Sequence, residues 1–554
     1  MPGAASTAGS GGGRIDHVVV LMLENRSFDN LLGFLEHPKA DEFDGLTRGP
    51  HHNVNAAGTA VAATADGLPS GVDPDHSHEG ALRQMEPFGD VAANGGFVRS
   101  YETVMGEANA DVVMKCLDPA AHCPVMAELA LEFAVCTAWF SSVPGETWPN
   151  RNFAHAATSD NTVNIEAGLY YDRTIFEVIA KKNKSWHIYY DGTPQVWCYP
   201  RLWRPRTFVD FLLRRPANIG NWFEYAQFAD HAAAGTLPSY SFIEPAHNRF
   251  YSPEDAPRRT TSQHPHNNLE SADDFAGGDA LIASVYETLR ANPTQFAKTL
   301  LVITYDEHGG LYDHVSPPSA VPPGDRVWRG LSRLIGRWLR ARADREHKQQ
   351  RNKNFDFRRL GVRVPAVLVS PWIAPATIVG ERLEHASIPK TLRELFAPDA
   401  KPLTDRDRAA AAFHGVVVDS PLGGPRPDPG GPNPLGLPPL PDLSGAARAA
   451  PPTHRTMARG AGGGRVGEAA TGPTIDPEPD NPVDAELARL ADCVDKRLRR
   501  RPATVLARRR AEQQAQPQTL MARTGETFPA EEAVSLFTAA TKVARRAAGL
   551  PRRT

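Results

Sequence analysis

His17-Val-Val-Val-Leu-Met-Leu-Glu24-Asn25-Arg-Ser27-Phe-Asp29 is an apolar run that stops abruptly on two polar residues. Residues 18–23, β-branched at their start, predict a strand buried on both faces, as strands are in a parallel sheet covered by helices. Glu24 and Asn25 end it, and Ser27 or Asp29 is placed to cap a helix over residues 30–35. In open α/β sheets, ligands bind beyond the carboxyl ends of the strands. A carboxylate followed by an amide at such an end suits a hard cation, and it equally suits a helix-capping turn. The rest of the chain has to choose.

Thr299-Leu-Leu-Val-Ile-Thr-Tyr-Asp306-Glu307-His308-Gly309-Gly310 repeats the logic. A second apolar strand runs straight into acids, followed by two glycines that let backbone approach closely. Asp306 and Glu307 point to opposite faces while the strand continues, so they converge on one ion only where it has turned. One acidic strand end is commonly a solvated loop; two are harder to dismiss. Glu24, Asn25, Asp306 and Glu307 together offer oxygen ligands for a divalent cation, with Ca²⁺, Mg²⁺ or Mn²⁺ favoured over Zn²⁺.

Further strands are predicted at 185–190, 239–243 and 364–370, alternating with helices at 124–133, 280–291 and 387–395. That alternation argues an α/β fold: a three-layer α/β/α sandwich on a mostly parallel central sheet. Residues 1–13 read as a flexible N-terminus and 14–419 as the main domain. Within it, 328–359 reads as an inserted basic amphipathic helix, carrying Trp328, Leu331, Leu334, Ile335 and Trp338 among arginines. It either packs onto the domain or touches an anionic membrane through 328–342. Residues 420–482 are a Pro- and Gly-rich linker, and 483–554 a helical, locally basic tail.

The chain has 554 residues, 41% of them hydrophobic, enough for a substantial core. A formal charge of −3 gives no global pull toward nucleic acid. No apolar run reaches the roughly 18–20 residues of a membrane span. The first residues carry neither a basic region nor an apolar core, so no secretory signal is visible and no compartment is indicated. Five cysteines, Cys116, Cys123, Cys136, Cys198 and Cys493, fit no zinc spacing. Free thiols are expected, with a Cys116–Cys123 bridge as the alternative.

The remaining chemistry lies in two kinds of segment. In Pro144-Gly-Glu-Thr147-Trp-Pro-Asn150-Arg151, a tight turn leads into a helix whose unpaired N–H groups can hold an anion. A hydroxyl there, beside a metal, can become a nucleophile. Taken singly, Thr147 reads first as a helix N-cap; Arg151 is placed to clamp a phosphate. His76 and His78 in one polar segment, and His264 and His266 in another, can hold phosphoryl oxygens or protonate a leaving group. His385 reads as a supporting residue.

In order along the chain, Glu24-Asn25-Arg-Ser-Phe-Asp29, Asp73-Pro-Asp-His76-Ser, Pro-Gly-Glu-Thr147-Trp-Pro-Asn-Arg151, Leu237-Pro-Ser-Tyr-Ser-Phe-Ile-Glu-Pro245, His264-Pro, Asp306-Glu-His-Gly-Gly and Gly361-Val-Arg-Val-Pro-Ala-Val-Leu-Val-Ser-Pro371 resemble the phosphoesterase family. That family takes in bacterial phosphocholine-type phospholipases C, plant non-specific phospholipases C and a related acid phosphatase. The resemblance covers residues 14–395 and implies an alkaline-phosphatase-like fold. It also implies Thr147 as nucleophile, Glu24, Asn25, Asp306 and Glu307 as the metal site, and His76 and His264 around the phosphoryl group. Cys136-Thr137-Ala138-Trp139 departs from the family's Cys-Asp-Arg-Trp, which removes an acid and a base and puts the substrate, more than the reaction, in question. The expectation is a metal-dependent phosphoester hydrolase acting on a phospholipid or other phosphoester. Its reaction is expected to be phospholipase C-type diester cleavage through a phosphothreonine intermediate, with Asn25, Arg151 and His266 binding substrate. An acid phosphatase for soluble monoesters and a catalytically weakened binding homologue are the alternatives.

Overall fold

The run at residues 18–23 forms β1 (His17–Leu23), and Val18 through Leu23 have no exposed surface at all. Seven further strands build one sheet around it: β2 (Ala134–Cys136), β3 (Trp186–Tyr190), β4 (Trp222–Glu224), β5 (Tyr240–Glu244), β6 (Thr299–Tyr305), β7 (Ala366–Val369) and β8 (Thr377–Val379). Their order is β8-β2-β7-β6-β1-β5-β3-β4. These are features of a computed structural model that describes residues 13–69, 72–165, 170–191, 194–203, 219–247, 260–265, 273–324 and 355–428. His266, Cys493, the stretch 328–342, most of the segment 328–359, the linker beyond 428 and the tail lie outside the described residues.

Pairings are parallel except at β7, which runs antiparallel to both β6 and β2. The sheet is therefore mostly parallel, as the strand–helix alternation predicts. The apolar run at 364–370 marks a strand, yet such a run says nothing about direction. β2, β4 and β8 have three residues each, too few to show a period in the sequence.

Helices cover both faces. On one, α3 (Pro124–Glu132) packs against α6 (Asp273–Arg290), with Phe133 and Tyr286 centroids 5.9 Å apart. On the other lie α4 (Thr147–Ala156), α5 (Ile175–Ala180) and α7 (Ser387–Phe396). There Phe176 meets Trp186 at 5.0 Å and Tyr240 at 5.1 Å, and His155 meets Phe242 at 4.7 Å. Even-numbered residues of β5 thus face the α4 side. Each Val, Leu or Met buried in such layers contributes about 1.5–3 kcal/mol relative to exposure. Helix α1 (Phe28–Leu32) starts where expected, with Ser27 as its cap, but ends sooner than residue 35; α2 (His78–Met85) is capped in the same way by Ser77.

The loop after β6 is tied to α1 through a buried arginine. Arg363 gives Nη2 to Asp29 Oδ1 at 2.9 Å, Nε to Asp313 Oδ1 at 3.0 Å and Nη1 to the Thr137 carbonyl at 2.8 Å. His314 Nδ1 reaches the other Asp29 oxygen at 2.7 Å. Thr137, the departure from the family pattern, therefore meets Arg363 through its backbone. Deleting one member of a buried ion set strands the others, which costs about 3–5 kcal/mol. Arg363→Met is expected to lower unfolding free energy by about that amount in urea titrations; an unchanged midpoint would show that the acids neutralise themselves.

The chain continues against the domain beyond residue 419: Arg426 Nη2 donates to the Glu132 carbonyl at 2.8 Å, and Arg290 pairs with Asp428 at 2.6 Å. Cys116, Cys123, Cys136 and Cys198 are free and buried, so the Cys116–Cys123 bridge does not form. Among the described residues no helix is long and apolar enough to cross a membrane.

Candidate active site

Three neighbouring strands each end in an acid on the same side. Residues in parallel register point alike, and β1 pairs Val20 with Phe242 of β5 and with Val302 of β6. Counting on by twos, Glu24, Glu244 and Asp306 all project to the α4 side, where Arg151 lies. All four are essentially without exposed surface. Arg151 donates Nε to Asp306 Oδ2 at 2.9 Å, Nη1 to Glu244 Oε2 at 2.7 Å, and Nη2 to the Met22 and Leu23 carbonyls at 3.1 Å each. Arg151, expected to clamp a phosphate, thus gives these hydrogen bonds to protein groups.

After β1 the chain turns sharply, Asn25 taking φ 56°, a left-handed conformation that Asn tolerates better than most residues. Its N–H donates to Asp306 Oδ1 at 3.1 Å, fastening one strand end to the other. Gly309 (φ 65°) packs so close that a Cβ would stand 2.2 Å from the Asn25 carbonyl oxygen. The glycine after Asp306-Glu307-His308 is there for that close approach.

The Asn25 side chain gathers the rest. Its Oδ1 accepts from the Thr147 hydroxyl at 3.3 Å, while Nδ2 faces Nε2 of His264 at 2.9 Å and Nε2 of His76 at 3.3 Å. His76 Nδ1 points at the Pro74 carbonyl at 2.8 Å, and His264 Nδ1 at the Pro265 carbonyl. With Nδ1 committed on both rings, Nε2, facing Asn25, is the atom that can take up or release a proton. Burial would lower the His76 pKa, but Glu307, Asp73 and Glu146 outweigh it and push it up to about 10.

Thr147 is the first residue of α4, and its neighbour Glu146, not Thr147, occupies the N-cap position. Asn150 fixes the preceding turn, donating to the Val143 and Gly145 carbonyls at 3.1 and 3.0 Å and accepting from Val143 N at 3.1 Å. The Thr147 hydroxyl is left to Asn25. The capping reading of Thr147 therefore does not describe this helix.

By their chemistry the donors Glu24, Asn25, Asp306 and Glu307 suit a divalent cation, although Glu24, Asp306 and Glu307 are not among the sets whose ligand atoms lie mutually within 4.8 Å. Glu24 Oε2 and Glu307 Oε1 are buried without a hydrogen-bond partner among the described residues. Burial, and repulsion from Glu24 and Glu307, push Asp306 up to about 7 against the pull of Arg151. Burial likewise raises Glu307 to about 7, with His76 opposing. Glu24 goes the other way, to about 2, because His247, His264 and Arg151 overcome its burial. Carboxylates crowded in this way are stabilised by a positive ion. Among the described residues, the two sets of three His, Asp or Glu groups with ligand atoms mutually within 4.8 Å are Asp73–His76–His264 and Asp29–Asp313–His314. The second is already neutralised by Arg363.

Other expected residues fall as follows. His385 Nε2 donates to the Asp306 carbonyl at 2.6 Å and its Nδ1 accepts from Trp139 Nε1 at 3.3 Å, so it supports the strand end. His78 turns away to the Pro144 carbonyl, and His308 reaches Gln84 Oε1 at 2.7 Å. Two residues were missed. Glu244 closes the apolar strand β5 as Glu24 and Asp306 close theirs, a signal readable in the sequence. His247, 3.0 Å from both Glu24 Oε1 and Glu244 Oε2, gave none. Burial works against its charged form, but the two carboxylates raise it to about 9.

The sequence profile of the Phosphoesterase family matches residues 15–397. Non-specific phospholipase C6 of Arabidopsis thaliana is 37% identical over 418 residues, covering 73% of this chain and 72% of the plant protein. Non-specific phospholipase C3 of the same plant is 35% identical over 439 residues, 74% of this chain and 75% of that protein. Non-hemolytic phospholipase C of Burkholderia pseudomallei (strain K96243) is 26% identical over 423 residues, 69% of this chain and 55% of the bacterial protein. Among solved structures, the phosphonate monoester hydrolase of Agrobacterium radiobacter aligns over 74% of this chain and 79% of that one, at 10% identity and a TM-score of 0.32.

Proposed function

This chain belongs to the Phosphoesterase family, and on that footing we propose that it is a metal-dependent phospholipase C-type enzyme that cleaves a phosphodiester through a phosphothreonine intermediate. The observation that carries the reading is the Thr147 hydroxyl at the start of a helix, hydrogen-bonded to Asn25, whose amide nitrogen faces the Nε2 atoms of two fixed histidines.

Glu24, Asn25, Asp306 and Glu307 would hold the cation, a hard ion such as Ca²⁺, Mg²⁺ or Mn²⁺ by its oxygen ligands. When bound, such an ion lowers the pKa of an adjacent hydroxyl and offsets charge on a transferring phosphoryl group. Thr147, its hydroxyl proton given up to solvent, attacks phosphorus through Oγ1 as the alkoxide, in line with the leaving oxygen, and a Thr147–phosphorus ester forms as the substrate's P–O bond breaks. Protonated His264 Nε2 gives its proton to the departing alkoxide. Water then attacks the phosphothreonine, His264 Nε2 takes a proton from it, and Thr147 leaves as the alkoxide with which the cycle began. His76 Nε2–H and Asn25 Nδ2 bind non-bridging oxygens and favour the charge that builds there. Arg151 acts behind this, keeping Asp306 in place.

The relatives' names support a phospholipid substrate, and a diester needs room beside the phosphate for a second substituent. Purified enzyme, supplied with each candidate cation in turn, is expected to hydrolyse detergent-dispersed phosphatidylcholine at a higher kcat/KM than p-nitrophenyl phosphate. The reverse order would make it a monoesterase, and no turnover of either would leave a phosphoester-binding homologue.

A further inference from the structure

We propose that Glu244 is a positioning residue for the cation site, holding Glu24 and Asp306 in register through His247 and Arg151. The proposal rests on the metal reading above and concerns how this chain prepares its own ligands.

The five side chains form one unbroken buried series. Glu24 Oε1 lies 3.0 Å from His247 Nδ1, and His247 Nε2 lies 3.0 Å from Glu244 Oε2. The same Glu244 oxygen accepts from Arg151 Nη1 at 2.7 Å, and Arg151 Nε reaches Asp306 Oδ2 at 2.9 Å. None of the five is more than 5% exposed, so water does not screen the contacts. The two ends of the series are acids assigned to the metal, and its middle is an acid that no step of the reaction uses.

What Glu244 does follows from arginine geometry. A guanidinium free to choose pairs with a carboxylate through two parallel N–H bonds. Here Glu244 draws Nη1 away, and the Met22 and Leu23 carbonyls take Nη2 at 3.1 Å each. Arg151 therefore meets Asp306 through Nε alone. Asp306 Oδ1 accepts from the backbone N–H of Asn25 at 3.1 Å and of Glu307 at 2.8 Å, so its rotamer is set from both sides while Oδ2 keeps one lone pair for an ion. On the other arm, His247 is held by Glu244 so that it can steady Glu24. Removing the Glu244 charge takes from Arg151 its second carboxylate partner and lets the guanidinium close onto Asp306, and it takes from His247 the oxygen that fixes its ring. Both effects oppose a divalent cation.

Mn²⁺ binding by the metal-stripped full chain, read as free Mn²⁺ by electron paramagnetic resonance, tests this without reference to turnover. Glu244→Gln is expected to weaken binding by about 10–100-fold, the range for residues that orient metal ligands. Glu244→Asp keeps the charge but is one methylene too short to reach both Arg151 and His247, and is expected to weaken it about tenfold. A group that merely neutralised Arg151 would let aspartate bind as wild type does. Thermal melting of the metal-free variants reports folding, and should glutamine not fold, aspartate decides. Wild-type affinity in a folded Glu244→Asp variant overturns the proposal. A wild type that takes up no Mn²⁺ overturns the metal reading and the proposal with it.

Discussion

Thr147→Ala is expected to fold as the wild type does and to lose turnover by on the order of 10⁴-fold or more in kcat, as removal of a covalent nucleophile does elsewhere. The folding half of this expectation comes from the helix. Thr147 does not cap α4, Glu146 holds that position, and Asn150 fixes the turn without it. Alanine has the highest helix propensity, so the backbone loses nothing at this position. The catalytic half comes from the hydroxyl's surroundings: its hydrogen-bond partner is Asn25, which also faces both histidines. Serine, which keeps the oxygen, should retain a substantial part of the activity. An alanine variant with a tenth of the wild-type rate would remove Thr147 from the mechanism.

Stripping the cation is expected to have a comparable effect, reversed by adding it back. Buried carboxylates that repel one another bind a divalent ion most tightly when all are present. Asp306→Asn is therefore expected to weaken metal affinity by more than about a hundredfold, beyond what residues outside the ligand shell cost. The wild-type melting temperature should rise with added metal, since a ligand at a hundred times its Kd stabilises by about 2.7 kcal/mol. In Asp306→Asn that rise should vanish at the same concentration. Full activity after exhaustive chelation, with no metal found by elemental analysis, would contradict the assignment.

Both expectations start from what was legible in the chain. Glu24 and Asp306 could be found because each ends an apolar run, and an acid at the end of a buried strand is costly unless something there wants it. The same reasoning, applied to residues 239–243, would have found Glu244. Arg151 was legible as important, but its protein partners were not. An arginine one turn after a candidate nucleophile suggests an anion clamp, and only the strand register reveals three acids on its side of the sheet. Thr147 posed the opposite problem, since a Thr at a helix start matches a cap until Glu146 is seen to hold that place. His247 left no mark, because its value comes from lying between Glu24 and Glu244, a placement that local sequence does not encode. The same limit explains β7, whose composition announces a strand but not its antiparallel direction.

The central claim is that Thr147 carries the phosphoryl group in mid-reaction. Rapid acid quench of the wild-type, metal-loaded enzyme during turnover, followed by peptide mass spectrometry, tests it most directly. The account predicts a phosphoryl adduct on Thr147 that forms within the first turnover and decays as product appears. Turnover at full rate, with Thr147 unmodified at every quench time and the alanine variant still active, would contradict it.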